Sequence, residues 1–225
     1  MTNIVIIGQN ESLYIEPMLE SLKKFFGDSR RIWVLDRCTD NSEKKLKRYK
    51  EEYHITPSNL IGRQTSFARN YGLMFSNPKA DIIFLDGDRF ILQSGNLRDW
   101  KKDIALFTLE IDYRNNPRHE DGTLVDYNEE LYGFPVNMFY SCGLYMKRKA
   151  IDKVTEFQNG ELFSTEVQGQ WGTEDLYLGD VCYHLGLSCD IHPDIRLSGS
   201  LNENKIPTGA ISYRLRLRSK LNVRW

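Results

Sequence analysis

Short apolar runs alternate with amphipathic stretches through about residue 85. Asn3 to Gly8 is continuously apolar through Ile4, Val5, Ile6 and Ile7, the pattern of a strand covered on both faces. A helix is predicted from about Leu13 to Phe26 and a second strand from Arg31 to Asp36. Asp40 with Glu43 three residues later reads as a capping box. In the helix it opens, Leu46, Tyr49 and Tyr53 share one face and lysines and glutamates fill the other. Leu60-Ile61 is predicted as a short strand. Phe67, Tyr71 and Phe75 recur every four residues, marking another amphipathic helix, and Asp81 to Leu85 is the next strand.

Strands alternating with helices predict an α/β protein whose mostly parallel sheet is covered on both sides. Ligands of such sheets lie beyond the carboxyl ends of the strands. Asn10-Glu11, Asp36 and Asp86 to Asp88 all fall at those ends, so three strands deliver acids or amides to one rim. The second half is less regular. Ile104 to Ile111 and Met138 to Met146 read as strands, and residues 113–133 as a long polar loop of the kind that is commonly functional. Glu174 to Leu185 reads as a helix with Leu178, Cys182 and Leu185 inward, and Gly186 is its expected stop.

Composition narrows the setting. The 225 residues suit one domain with an elaborated end, and 40% apolar content supplies an ordinary core. The 30 basic and 31 acidic side chains nearly cancel, so net charge excludes no class of partner. Their distribution says more: no acid follows Glu203, whereas Lys205, Arg214, Arg216, Arg218, Lys220 and Arg224 do. Cys38, Cys142, Cys182 and Cys189 have no metal-ligand spacing and read as free thiols in a reducing compartment. No run approaches the length of a membrane span and the first apolar run is too short for a signal peptide. The expectation is a soluble, cytoplasmic protein with no transmembrane segment.

Several residue groups carry candidate chemistry. Asp86-Gly87-Asp88 places two carboxylates one residue apart at a strand end, where they can hold a divalent ion and a ribose; the same triplet also fits an ordinary turn. Asp36 can accept a hydrogen bond from a pyrimidine N–H or a ribose hydroxyl, or simply close its turn. Arg63 and Arg69 flank a helix start, where they can meet phosphate or base, or form a solvated face. Trp171-Gly172-Thr173-Glu174-Asp175 opens the last helix. Acids there complement the helix dipole, but the tryptophan ahead of them is a natural platform for a sugar. Asp175 is the candidate general base and Glu174 the holder of an acceptor hydroxyl. His184 reads as structural, and His192 is a weak candidate metal ligand.

In order, these features resemble the nucleotide-diphosphosugar glycosyltransferases of the GT-A fold, particularly family 2 and its relatives. Ile4 to Glu11 resembles their opening strand and nucleotide loop. Leu35-Asp36 through Asp40-Asn41-Ser42 is similar to their "DDGSTDNS"-type segment, Ala68 to Gly72 to "ARNxG", Asp86 to Asp88 to DxD, and Trp171 to Asp175 to "WGxED". The resemblance spans about residues 3 to 190. It implies a Rossmann-like GT-A domain over 1–200, with a nucleotide-binding half (1–95) and an irregular acceptor-side half (96–200), followed by a basic extension (201–225). It also implies a donor site of Gln9, Asn10, Glu11, Asp36, Arg63, Arg69, Asp86 and Gly87. Asp86 and Asp88 would hold Mn2+ or Mg2+, Trp171 and Gly172 would meet the acceptor, and Asp175 would be the base of an inverting transfer, most commonly from a UDP-sugar. Two departures stand out. Arg37-Cys38 replaces an acid-glycine pair, and Arg196 to Ser200 lacks the histidine that many relatives offer a metal.

The expected function is therefore transfer of a sugar from a nucleotide-diphosphate donor to an acceptor hydroxyl on a polysaccharide, glycolipid or modified nucleic acid. Tyr213 to Arg218 alternates apolar and basic residues, which as a strand would put three arginines on one face. Such a face fits a phosphate-bearing acceptor such as nucleic acid or an anionic membrane surface, or equally a solvated edge strand or a clamp over the donor diphosphate. The alternative is a non-catalytic nucleotide-sugar or carbohydrate-binding protein on the same fold. A nucleotidyltransferase fits less well, because Gly8-Gln9-Asn10-Glu11-Ser12 is not a glycine-rich basic loop.

Overall fold

The computed structural model describes residues 1–57, 65–109, 130–131, 134–135, 140–166 and 173–198. In chain order the elements are β1 (Thr2–Gly8), α1 (Ile15–Phe26), β2 (Arg30–Leu35), α2 (Ser42–Arg48) and β3 (Glu52–Ile55). Then come α3 (Thr65–Met74), β4 (Asp81–Asp86), β5 (Ile91–Gln93), β6 (Ile104–Leu109), β7 (Glu130–Leu131) and β8 (Phe134–Pro135). The last are β9 (Gly143–Met146), α4 (Arg148–Phe157), α5 (Thr173–His184) and β10 (Cys189–Leu197). One sheet runs β3-β2-β1-β4-β9-β6-β10-β5, and β7 pairs with β8. Strands β3, β2, β1 and β4 are mutually parallel, β9 runs against both β4 and β6, and β6 is parallel to β10. The fold is thus α/β with a mostly parallel sheet, and the start of β9 lies at the same rim as the carboxyl ends of β1, β2 and β4.

Alternation along the central strands sorts the core into two layers. Ile82 and Phe84 of β4 face Ala150, Ile151 and Val154 of α4 and Leu178, Val181 and Cys182 of α5. Ile83 and Leu85 face the opposite layer, with Ile15, Met18 and Leu22 of α1 and Leu46 of α2. Helix α3 joins the first face by close approach. A Cβ on Gly72 would lie 2.5 Å from Val5 Cγ1 and 2.9 Å from Val34 Cγ2, so only glycine lets this helix rest on β1 and β2. Its buried residues are Ser66, Ala68, Arg69 and Gly72. The Phe67, Tyr71, Phe75 stripe is half-buried instead, and Phe75 stacks on His54 at 3.5 Å. The four-residue period correctly marked a helix, but its aromatic stripe is not the deeply buried face.

Other expectations need correction. The capping box does not form: Asn41 precedes α2 without a side-chain cap bond, and the Glu43 carboxylate accepts from Tyr53 Oη at 3.1 Å. Asp40 instead accepts from Ser42 N and Ser12 N, both at 2.9 Å, tying the start of α2 to the loop after β1. Tyr53 belongs to β3, because the chain turns at Lys50 (φ 56°) and leaves α2. Paired contacts of Arg30 with Glu52 and Arg31 with Glu51 fasten this edge strand to β2. The strand placed at Leu60-Ile61, nearly all of the 113–133 loop and the 201–225 extension lie outside the described residues. Cys142 and Ser141 form a turn ahead of β9, so that strand starts later than Met138. Six elements were not anticipated: β3, β5, β7 (inside the stretch expected to be a loop), β8, α4 and the full length of β10. Among the described residues no helix is long and apolar enough to cross a membrane.

Gly72→Ala is expected to lower stability by about 1–3 kcal/mol through overpacking against Val5 and Val34, read as a reduced urea midpoint. An unchanged midpoint would show that α3 does not sit this close to the sheet.

Candidate active site

Arg69 occupies the centre of the rim. Its residue is 3% exposed, and its guanidinium reaches Asp86 Oδ1 from Nη2 at 3.0 Å and Glu174 Oε1 from Nη1 at 3.3 Å. Asp175 Oδ1 lies 3.8 Å from the same Nη1. A single cation therefore touches the acid at the end of β4 and both acids at the start of α5, which face each other across it. The ring of Phe163 lies 5.5 Å beneath the guanidinium. Burial disfavours its charge, but Asp175, Asp86 and Glu174 outweigh that effect and hold it firmly protonated.

Glu174 and Asp175 are each 7% exposed. Acids serving only the helix dipole have no reason to leave solvent, so the inward turn of this pair needs the buried cation to explain it. Each also takes a hydroxyl hydrogen bond: Thr65 Oγ1 donates to Glu174 Oε1, and Ser141 Oγ donates to Asp175 Oδ1. Burial pushes the Asp175 carboxyl up to about 7; Arg69 and Ser141 pull it back, while Glu174 and Asp86 add to the rise. A carboxylate poised near neutrality is suited to taking a proton from a hydroxyl. Neither Thr65 nor Ser141 was singled out from the sequence. They lie 109 and 34 positions from their partners, and neither belongs to a recognisable spacing.

The turn after β4 is closely packed. Gly87 N donates to Ile7 O at 2.8 Å, and a Cβ there would meet Glu11 Cγ at 3.2 Å, Ile7 O at 3.2 Å and Trp33 Cζ3 at 3.3 Å. Glu11 is buried beside this glycine, and Asp88 is 3% exposed. Cys142, at the same rim, is buried and its thiol is raised to about 12 by burial, which leaves it inert as a nucleophile.

At the end of β2, Asp36 is gripped by Arg37 through Nε at 3.1 Å and Nη2 at 2.8 Å and accepts from Thr56 Oγ1 at 2.7 Å. Arg37 adopts φ 48° and Asn10 φ 62°. Asn10 Oδ1 accepts from Thr39 N at 2.7 Å, and Asn10 N donates to Cys38 Sγ at 3.3 Å. The departure at Arg37-Cys38 thus builds a staple between the loops after β1 and β2. Gln9 is half-buried in the first of them. His192 packs against Trp100 and Gly95, and its Nδ1 accepts from Asp194 N at 3.2 Å, a structural role. Arg63, Trp171 and Gly172 lie outside the described residues.

No family model and no curated protein matches this chain. Solved structures do match. Aligned with TarS 1–349 of S. aureus in complex with UDP, the chain is 15% identical at a TM-score of 0.67, covering 100% of this chain and 66% of that one. With the mannosyltransferase PcManGT of Pyrobaculum calidifontis, in complex with GDP-Man and Mn2+, identity is 14% and the TM-score 0.60, over 98% and 61% of the two chains. With glucosyl-3-phosphoglycerate synthase of Mycobacterium tuberculosis, in complex with Mn2+, UDP and glucosyl-3-phosphoglycerate, the values are 13% and 0.60 over 98% and 78%. The chain has the GT-A fold of nucleotide-sugar glycosyltransferases, and it spans less than two thirds of the TarS and PcManGT chains.

Two of these relatives carry Mn2+, and the residues here can be tested against such an ion. Among the described residues no three His, Cys, Asp or Glu side chains converge as a cage. Yet Asp86 and Asp88 sit in one turn, and the rim collects Asp86, Asp88, Glu174 and Asp175 against the guanidiniums of Arg69 and Arg89. This excess of carboxylates fits a divalent cation that takes one or two of them and completes its shell with phosphate oxygens and water.

Arg69→Met is expected to destabilise the protein by roughly 3–5 kcal/mol, because buried carboxylates lose their counter-charge. Without the guanidinium their folded-state pKa values rise, the folded state binds more protons, and stability falls as pH increases. Urea unfolding should therefore show a larger deficit at pH 8 than at pH 5.5; a pH-independent deficit would contradict the pairing.

Proposed function

We propose that the chain is a glycosyltransferase that moves a sugar from a nucleotide diphosphate, UDP in this reading, to an acceptor hydroxyl with inversion. The observation that carries this reading is the buried Arg69 bridge, which sets Asp86 against an Asp175 carboxyl tuned towards neutrality. In the reaction the Asp175 carboxylate takes the proton of the acceptor hydroxyl. The acceptor oxygen attacks the anomeric carbon, and the bond from that carbon to the diphosphate oxygen breaks, the electron pair leaving with the diphosphate. Thr65 and Arg69 fix Glu174, which orients the acceptor, and Ser141 fixes the Asp175 carboxylate.

Asp86 and Asp88 are the residues that would hold Mn2+ or Mg2+, which supplies positive charge to the leaving diphosphate. On the donor side the reading assigns Glu11, Asp36 and Gly87 with their neighbours Gln9 and Asn10, and Arg63 from the segment before α3. Trp171 and Gly172, directly ahead of α5 in the chain, are assigned to the acceptor, and residues 201–225 are a basic extension by composition. The four free cysteines suit a reducing compartment, which we take to be the cytoplasm.

Asp175→Asn should reduce Mn2+-supported UDP-sugar hydrolysis or transfer by about 10²–10⁴-fold, while UDP affinity by calorimetry stays within about threefold. Unchanged turnover removes the base assignment. In the wild type, kcat/KM should fall about tenfold per pH unit below about 7, as the raised Asp175 carboxyl takes up a proton. A profile flat down to pH 5 contradicts it. Asp88→Ala should weaken Mn2+-dependent UDP binding by about tenfold or more, and calorimetry showing no loss would count against its metal role.

A further inference from the structure

Arg89 stands immediately after the paired acids of the β4 turn, and its backbone N donates to Asp86 O at 3.3 Å. Its side chain leans to the carboxyl end of β10, where Nη1 donates to Ser198 O at 3.2 Å. That end is fixed: Phe90 N donates to Ser198 Oγ and Ser198 N to Phe90 O, each at 2.9 Å. The strands that follow and precede this clamp, β5 and β10, are paired through Leu197 and Ile91. The guanidinium is therefore preorganised. Asp86 and Asp88 are its charged neighbours, and its buried Nε has no hydrogen-bond partner among the described residues.

A buried donor left unpaired costs about 1–3 kcal/mol until an acceptor arrives. The Nη groups of Arg69 are already committed to three carboxylates, although its Nε too is unpaired among the described residues, and Arg89 is a further guanidinium in the same turn as Asp86 and Asp88. We propose that Arg89 binds the diphosphate of the nucleotide donor directly and supplies leaving-group charge that does not depend on a metal ion. The inference rests on the glycosyltransferase reading and adds one residue to it. A planar fork of N–H donors suits two phosphate oxygens, and charge-assisted bonds of this kind are about twice as strong as neutral ones. The ligand class is a nucleoside diphosphate, with the nucleoside alone as the matched control.

Calorimetry with UDP and with uridine, each in EDTA and in Mn2+, tests this on the whole chain. In EDTA the wild type should prefer UDP over uridine by about tenfold or more, the effect of one or two charge-assisted hydrogen bonds. Arg89→Met should collapse that preference while leaving uridine affinity within about twofold. Equal affinity of the wild type for UDP and uridine in EDTA overturns the proposal, and so does UDP binding that appears only with Mn2+; neither result depends on the variant folding. Retention of the preference by a folded Arg89→Met protein overturns it as well. If the wild type binds no nucleotide even with Mn2+, the glycosyltransferase reading itself falls.

Discussion

The Arg69 guanidinium, shut away from solvent among Asp86, Glu174 and Asp175, is the interaction on which the rim depends. Three carboxylates cannot share a low-dielectric space without a counter-charge, and Arg69 reaches both the β4 end and the start of α5. The cation in turn depends on backbone packing. Gly72, one turn along α3, lets the helix press against Val5 and Val34, and the neighbouring Ser66 and Ala68 keep its inward face small. A bulkier face would lift α3 from the sheet and carry Arg69 away from Asp86. Packing of the fold and charge balance of the site are one constraint here.

The same bridge explains how the Asp175 carboxyl is tuned, which the proposed function uses to make it a base. Asp175 is buried, which favours its protonated form, and beside Glu174 and Asp86 its charge is further disfavoured. Arg69 and the Ser141 hydroxyl offset enough of this to leave it near neutrality rather than permanently protonated. On the opposite side of the rim, Cys38 and Asn10 staple the loops after β1 and β2 while Arg37 folds back on Asp36. That side is built from hydrogen bonds between loops, whereas the side around Arg69 is built from buried charge.

What the sequence disclosed follows physical lines. Central strands were legible because burial on both faces writes continuous apolar runs, as at Ile4 to Ile7 and Ile82 to Leu85. Strand β10 was not, because Pro193 and a register shift between His192 and Arg196 break its alternation. Helix α4 was missed because only Ala150, Ile151 and Val154 mark its inward face in a charged segment that opens without a capping side chain. In α3 the conspicuous aromatic stripe drew attention away from the small residues that pack. For the site, Asp86, Glu174 and Asp175 were visible as clusters at predicted element ends. The bridge through Arg69 was not, since its contacts with Glu174 and Asp175 cross more than a hundred positions. Thr65 and Ser141 carry no local signature at all.

The most direct measurement is a crystal structure of the wild-type chain grown with UDP and Mn2+ at neutral pH. The account predicts the diphosphate between the Asp86-Gly87-Asp88 turn and the Asp175 carboxylate, with Arg69 still joined to Asp86 and Glu174 beneath it. A nucleotide bound elsewhere on the molecule, or an Arg69 turned to solvent with the two acidic groups separated, would contradict it.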